Sequence, residues 1–104
     1  MPMKNVDAST LKTWLEKGEA VLVDVREPSE TATGIIPGAV LVPLGTVSGK
    51  TVPNVAGKKL VMQCRSGKRS QTAAEKLLAE NPGLEVYNLV GGIMEWVGSG
   101  NSVR

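Results

Sequence analysis

Two short apolar runs limit the folds open to this chain more than any other feature. Ala20-Val21-Leu22-Val23-Asp24-Val25 and Lys59-Leu60-Val61-Met62-Gln63 are nearly continuous in apolar residues, and the first is rich in β-branched ones. Runs of this length, without polar alternation, read as strands buried in a sheet. Helical patterns lie around them. Asp7 is an N-cap candidate for a helix from about Ala8 to Lys17, with Leu11, Trp14 and Leu15 at helical spacing and Gly18 as the stop. Ser70 is an N-cap candidate for another helix, in which Ala73, Leu77 and Leu78 recur at helical spacing and Asn81-Pro82-Gly83 ends the element. Pro28 suits the first turn of a short helix after Arg26. Leu84 to Leu89 reads as a further strand and Ala39 to Val42 as a shorter one. Ile35 to Gly38 is a turn, Gly91-Gly92 a break, and Ile93 to Val97 a short final helix. Residues 43–58, rich in Gly, Pro, Thr and Ser, fit a loop or a broken short helix. No repeat or low-complexity tract interrupts the pattern. Strands alternating with helices predict an α/β domain with a mainly parallel sheet.

A chain of 104 residues fits one domain, 1–104. Trp14, Trp96 and Tyr87 are the only aromatics, so the core must be aliphatic, and both tryptophans read as packing residues. Twelve basic and ten acidic residues leave a net charge of +2, too small to imply nucleic acid or an anionic membrane as partner. No segment is long and apolar enough to span a bilayer. Met1-Pro2-Met3-Lys4-Asn5 lacks the apolar stretch of a signal peptide. The expected location is the cytoplasm, and a mature exported form would look the same. No interface pattern stands out, so a monomer is expected.

The chain has one cysteine and no histidine. That excludes an internal disulfide, a cysteine-rich metal site and every mechanism in which an imidazole activates the nucleophile. No metal or cofactor is expected. Cys64 falls at the end of a predicted strand and before a predicted helix, where open α/β sheets place their chemistry. Three features there favour a thiolate: the positive end of the following helix, backbone N–H groups able to curl into an anion-holding nest around Gly67, and the cations Arg65, Lys68 and Arg69. A lone cysteine at a strand end is often just a small buried hydrophobe, but the combination points to function. Arg65 and Lys68 are the candidate contacts for an anionic substrate. Arg69 is either a further contact or a brace for the loop. Asp24 is expected to pair with a basic residue and pin its strand end, with an acid–base role as the alternative. Glu27 and Glu30 suit the first turn of a helix.

Four segments, in this order, resemble the single-domain rhodaneses: Asp24-Val25-Arg26-Glu27-Pro28, Gly34-Ile35-Ile36-Pro37-Gly38-Ala39, Cys64-Arg65-Ser66-Gly67-Lys68-Arg69-Ser70 and Gly91-Gly92-Ile93-Met94-Glu95-Trp96. The resemblance implies a rhodanese-like fold, with a central, mainly parallel five-stranded sheet flanked by helices. It implies that Cys64 is a persulfide-forming nucleophile. The loop Arg65, Ser66, Gly67, Lys68 and Arg69 would then cradle the transferred sulfur and the anionic donor. One departure is Ile35, where family members commonly carry histidine; the core chemistry does not need that group.

The expected reaction is a double displacement that moves sulfane sulfur from thiosulfate or a similar anion to cyanide or a thiol, with a thioredoxin-like protein among the compatible acceptors. Four other readings compete. A cysteine phosphatase of related fold needs an arginine six residues after the cysteine, where this chain has Ser70, with Arg69 one place early. An arsenate reductase needs a second, resolving cysteine. A binding module, or a sulfur carrier that never turns over thiosulfate, would share the same loop.

Overall fold

The computed structural model of the protein describes residues 3–55 and 57–104. The leader reading, in so far as it rests on positions 1 and 2, and position 56 of the 43–58 segment lie outside the described residues. Five strands, β1 (Lys4–Val6), β2 (Ala20–Asp24), β3 (Val40–Leu41), β4 (Lys59–Gln63) and β5 (Val86–Leu89), form one parallel sheet in the order β1-β5-β4-β2-β3. Four helices pack with them: α1 (Ala8–Glu16) between β1 and β2, α2 (Pro28–Thr31) between β2 and β3, α3 (Lys68–Glu80) between β4 and β5, and α4 (Gly92–Gly98) after β5. The expected fold class is therefore the observed one.

Side chains alternate across the central strands, and both faces are buried. Val23, Leu60, Met62 and Val86 face the α3 side, where Ala73, Ala74, Leu77 and Leu78 close over them. Leu22, Val61, Tyr87 and Leu89 face the other side, covered by Leu11 of α1 and by Ile93 and Trp96 of α4. This two-sided burial explains why β2 and β4 are apolar over residues 20–23 and 60–62 instead of alternating. Trp14 meets the Tyr87 ring edge-on, with centroids 4.9 Å apart, so both tryptophans pack as expected.

β1 was not foreseen, and β3 and β5 are shorter than expected. The described residues of segment 43–58 form irregular chain with a 3-10 turn at Leu44–Thr46, within the alternatives the sequence left open. Ser70 is not an N-cap. α3 already starts at Lys68, because Gly67 takes the cap position in a left-handed conformation with φ at 105°. Asp7 does cap α1, accepting from the Thr10 amide at 2.8 Å. Among the described residues no helix is long and apolar enough to cross a membrane.

Candidate active site

β4 ends at Gln63 and α3 starts at Lys68, so Cys64 to Gly67 form a four-residue turn at the carboxyl end of the sheet. The turn is held from outside. The amides of Ile93 and Met94, at the start of α4, donate to the carbonyls of Cys64 and Arg65 at 2.9 and 3.1 Å. Gln63 Nε2 donates to the same Cys64 carbonyl at 3.0 Å, while its Oε1 has no partner among the described residues. With its carbonyls drawn towards α4, the turn directs its N–H groups the other way, at the sulfur. The Gly67 amide donates to Cys64 Sγ at 3.1 Å.

Ser70, in the first turn of α3, places its hydroxyl 3.4 Å from Sγ and 2.5 Å from Oδ1 of Asn88 on β5. Asn88 Nδ2 in turn donates to the Gly67 carbonyl at 3.0 Å. Cys64 is almost wholly buried, with 1 % of its surface exposed. Burial pushes its thiol pKa up, but the Ser70 hydroxyl and the amides of Ser70, Gly67 and Ser66 outweigh that and hold it below the ordinary thiol value. Activation without histidine is thus met by hydrogen-bond donors, which stabilise the charged form of a desolvated sulfur more effectively than solvated cations do.

The sequence-predicted residues divide by position. Arg65, Ser66 and Lys68 are exposed at the loop, and Gly67 is buried beneath it. Of the two roles open to Arg69 from the sequence, the geometry here is the brace: its guanidinium forks onto Glu30 of α2 at 2.7 and 2.8 Å. The Arg69 side chain holds Glu30 down to a pKa of about 2, with help from the Glu27 amide. Asp24 pairs with Arg26 at 2.7 Å, both buried, and Arg26 also donates to the Gly34 carbonyl at 2.8 Å. This pins the end of β2, as expected. Next to the loop, an open cleft of about 640 Å³ is lined by Arg65 and by Ile93, Met94 and Val97 of α4.

Ser70, Asn88, Gln63 and Gly92 complete the site without having been singled out for it in the sequence. Asn88 left a signal, as a polar residue inside the apolar run Val86-Tyr87-Asn88-Leu89. Ser70 had one too, as a hydroxyl one helical turn beyond the cysteine loop. Among the described residues no cluster of potential metal ligands occurs.

The family model for the rhodanese-like domain matches residues 7–99. YtwF of Bacillus subtilis, provisionally named a sulfurtransferase, is 36% identical over 99 residues, covering 94% of both chains. A protein of Allochromatium vinosum named sulfurtransferase is 35% identical, covering 94% of this chain and 92% of its own. The crystal structure of a rhodanese-related protein from Thermoplasma volcanium superposes with a TM-score of 0.82 at 26% identity, covering 97% of each chain.

Proposed function

Because this chain belongs to the rhodanese-like domain family, we propose that it is a sulfurtransferase that carries sulfane sulfur on Cys64, taken from thiosulfate or a similar anionic donor. The observation that carries this reading is the buried Sγ facing the Gly67 amide and the Ser70 hydroxyl, a setting that favours a thiolate where no histidine exists. In the first step the Cys64 thiolate attacks the outer sulfur of thiosulfate. A bond forms from Sγ to that sulfur, the donor's S–S bond breaks, and sulfite leaves with the electron pair. The persulfide anion then occupies the space into which the loop amides point. Arg65 and Lys68, exposed at the rim, offset the donor's charge. In the second step cyanide or a thiolate attacks the outer sulfur and Cys64 departs as thiolate. A thiol acceptor reaches the loop through the cleft lined by Arg65, Met94 and Val97. The same reading takes the chain as a cytoplasmic monomer that needs no cofactor.

Incubation with thiosulfate followed by intact-mass measurement tests the proposal. The expected result is a gain of one sulfur atom that cyanide or a thiol removes, and that Cys64→Ser abolishes. No gain, or an equal gain in Cys64→Ser, overturns it. Loading from a persulfide donor but not from thiosulfate favours the sulfur-carrier reading instead. Aryl phosphate turnover is expected to be negligible, because Ser70 stands where a phosphatase requires arginine.

A further inference from the structure

We propose that Asn88 is a positioning residue for Cys64: it competes with the sulfur for the one proton of the Ser70 hydroxyl, and so governs how readily Cys64 exists as a thiolate. The assignment follows from which atoms can donate. The Gly67 carbonyl only accepts, so the Asn88 atom 3.0 Å from it must be Nδ2. That leaves Oδ1 towards Ser70, and Oδ1 also only accepts. Ser70 is therefore the donor in their 2.5 Å contact. A hydroxyl has one proton, and the same Oγ lies 3.4 Å from Cys64 Sγ. With its proton on Asn88, Ser70 turns a lone pair to the sulfur, which suits a thiol S–H.

A thiolate reverses the requirement. It can only accept, and it already has the Gly67 amide at 3.1 Å. To add its hydroxyl to the amide donors at the sulfur, Ser70 must rotate its O–H away from Asn88, and a buried amide oxygen then loses its partner. The proton that leaves Sγ goes to solvent. The neutral Asn88 amide takes none, so the rotation is a change of hydrogen bonds and not a proton relay. Asn88 also holds the Gly67 carbonyl, and through it the peptide that aims an amide at the sulfur.

The charged groups around this pocket are Arg65 and Lys68 on the loop and helix start, Arg69 of α3 paired with Glu30 of α2, and the Asp24–Arg26 pair at the neighbouring end of β2. From α4 the contacts are the Ile93 and Met94 amides. None of these groups bonds to the side chain of Ser70 or Asn88 among the described residues.

The significance of the competition rests on Cys64 being the nucleophile, but its test does not. The pH dependence of iodoacetamide alkylation is measured on the full chain, where Cys64 is the only thiol. Wild type, Asn88→Ala, Ser70→Ala and the double variant form a cycle. Ser70→Ala is expected to raise the alkylation midpoint. Asn88→Ala frees the Ser70 proton for the sulfur but also releases the Gly67 carbonyl, and the second effect occurs in both backgrounds and cancels. The midpoint in the Ser70 background should therefore lie about half a pH unit or more below the value that additivity predicts. Equal shifts in the two backgrounds overturn the proposal and leave Asn88 a brace.

If Asn88→Ala does not fold, the isosteric Asn88→Asp serves. Its carboxylate takes the Ser70 proton more strongly, so the midpoint should rise more with Ser70 present than in the Ser70→Ala background. An equal rise again overturns the proposal. Ser70→Thr, which keeps the hydroxyl, should restore the coupling, and its failure to do so counts against the idea. Intact coupling in a protein that takes no sulfur from thiosulfate would overturn the sulfurtransferase reading and leave this one standing.

Discussion

At Gly92 the backbone of α4 lies against the carbonyl oxygens of Cys64 and Arg65, so close that a Cβ would overlap both. The residue is also left-handed, with φ at 58°. Both facts demand glycine there, because backbone cannot retreat as a flexible side-chain end can. The same approach lets the Ile93 and Met94 amides hold the loop's carbonyls, which turns the loop's own amides to Sγ. Gly92→Ala is therefore expected to cost about 3 kcal/mol or more, read as a fall in the urea midpoint, and to slow Cys64 alkylation at neutral pH in whatever fraction stays folded. An unchanged midpoint would contradict this account. Cys64 illustrates the same balance at a single atom. Burial opposes its ionisation, and a few donors at short range prevail because they act where no water competes.

Between elements, the Arg69–Glu30 fork ties α3 to α2 across the mouth of the loop. Glu30 also accepts from the Glu27 amide at 2.9 Å, so one carboxylate both caps its own helix and holds a neighbour. Both side chains are about one-third exposed, which limits the pair to about 1 kcal/mol. Its pH dependence has a definite sign. Glu30 is depressed in the folded state to about 2 from an ordinary value of 4.5, so its stabilisation is complete above pH 4.5 and is lost as the pH falls towards 2. Glu30→Gln should be less stable than wild type at neutral pH, and the two should converge as acid is added through that window. Parallel stability curves from pH 6 to 2 would show that the pair contributes nothing. The Asp24–Arg26 pair plays the matching part on the other side, but is buried and joins β2 to the Gly34 turn.

Over the whole molecule, the parallel order β1-β5-β4-β2-β3 joins β1 to β5 and β4 to β2, strands that are not consecutive in the chain, so the site is assembled from segments distant in sequence. The C-terminal residues take part. Arg104 exchanges two backbone hydrogen bonds with Ile35, at 2.9 and 3.0 Å, and Trp96 Nε1 donates to the Ser102 carbonyl at 2.8 Å. Removing residues 101–104 should cost about 1–2 kcal/mol, or roughly 5–10 °C in Tm, with a red shift of tryptophan emission; an unchanged Tm would show the tail to be idle. Much of this architecture was legible in the chain. β2 and β4 are apolar at successive positions along their middles, Asp7 caps α1, Pro28 opens α2, and Cys64 stands at a strand end, because periodicity, capping and breaking are properties of neighbours in sequence. β1 was not legible, since Lys4-Asn5-Val6 buries a single side chain and becomes a strand only by pairing with β5. Nor could the start of α3 be read correctly, for Ser70 looks like a cap and only the left-handed Gly67 moves the helix start forward. The sequence by itself determined that a cysteine without histidine sits in a cationic, glycine-containing turn. Only the tertiary structure decided which groups serve the sulfur: Asn88 lies 18 residues from Ser70, and Glu30 lies 39 from Arg69. Patterns along a chain report spacing within an element, whereas these partners meet only where the crossovers of a parallel sheet bring separate elements to one end.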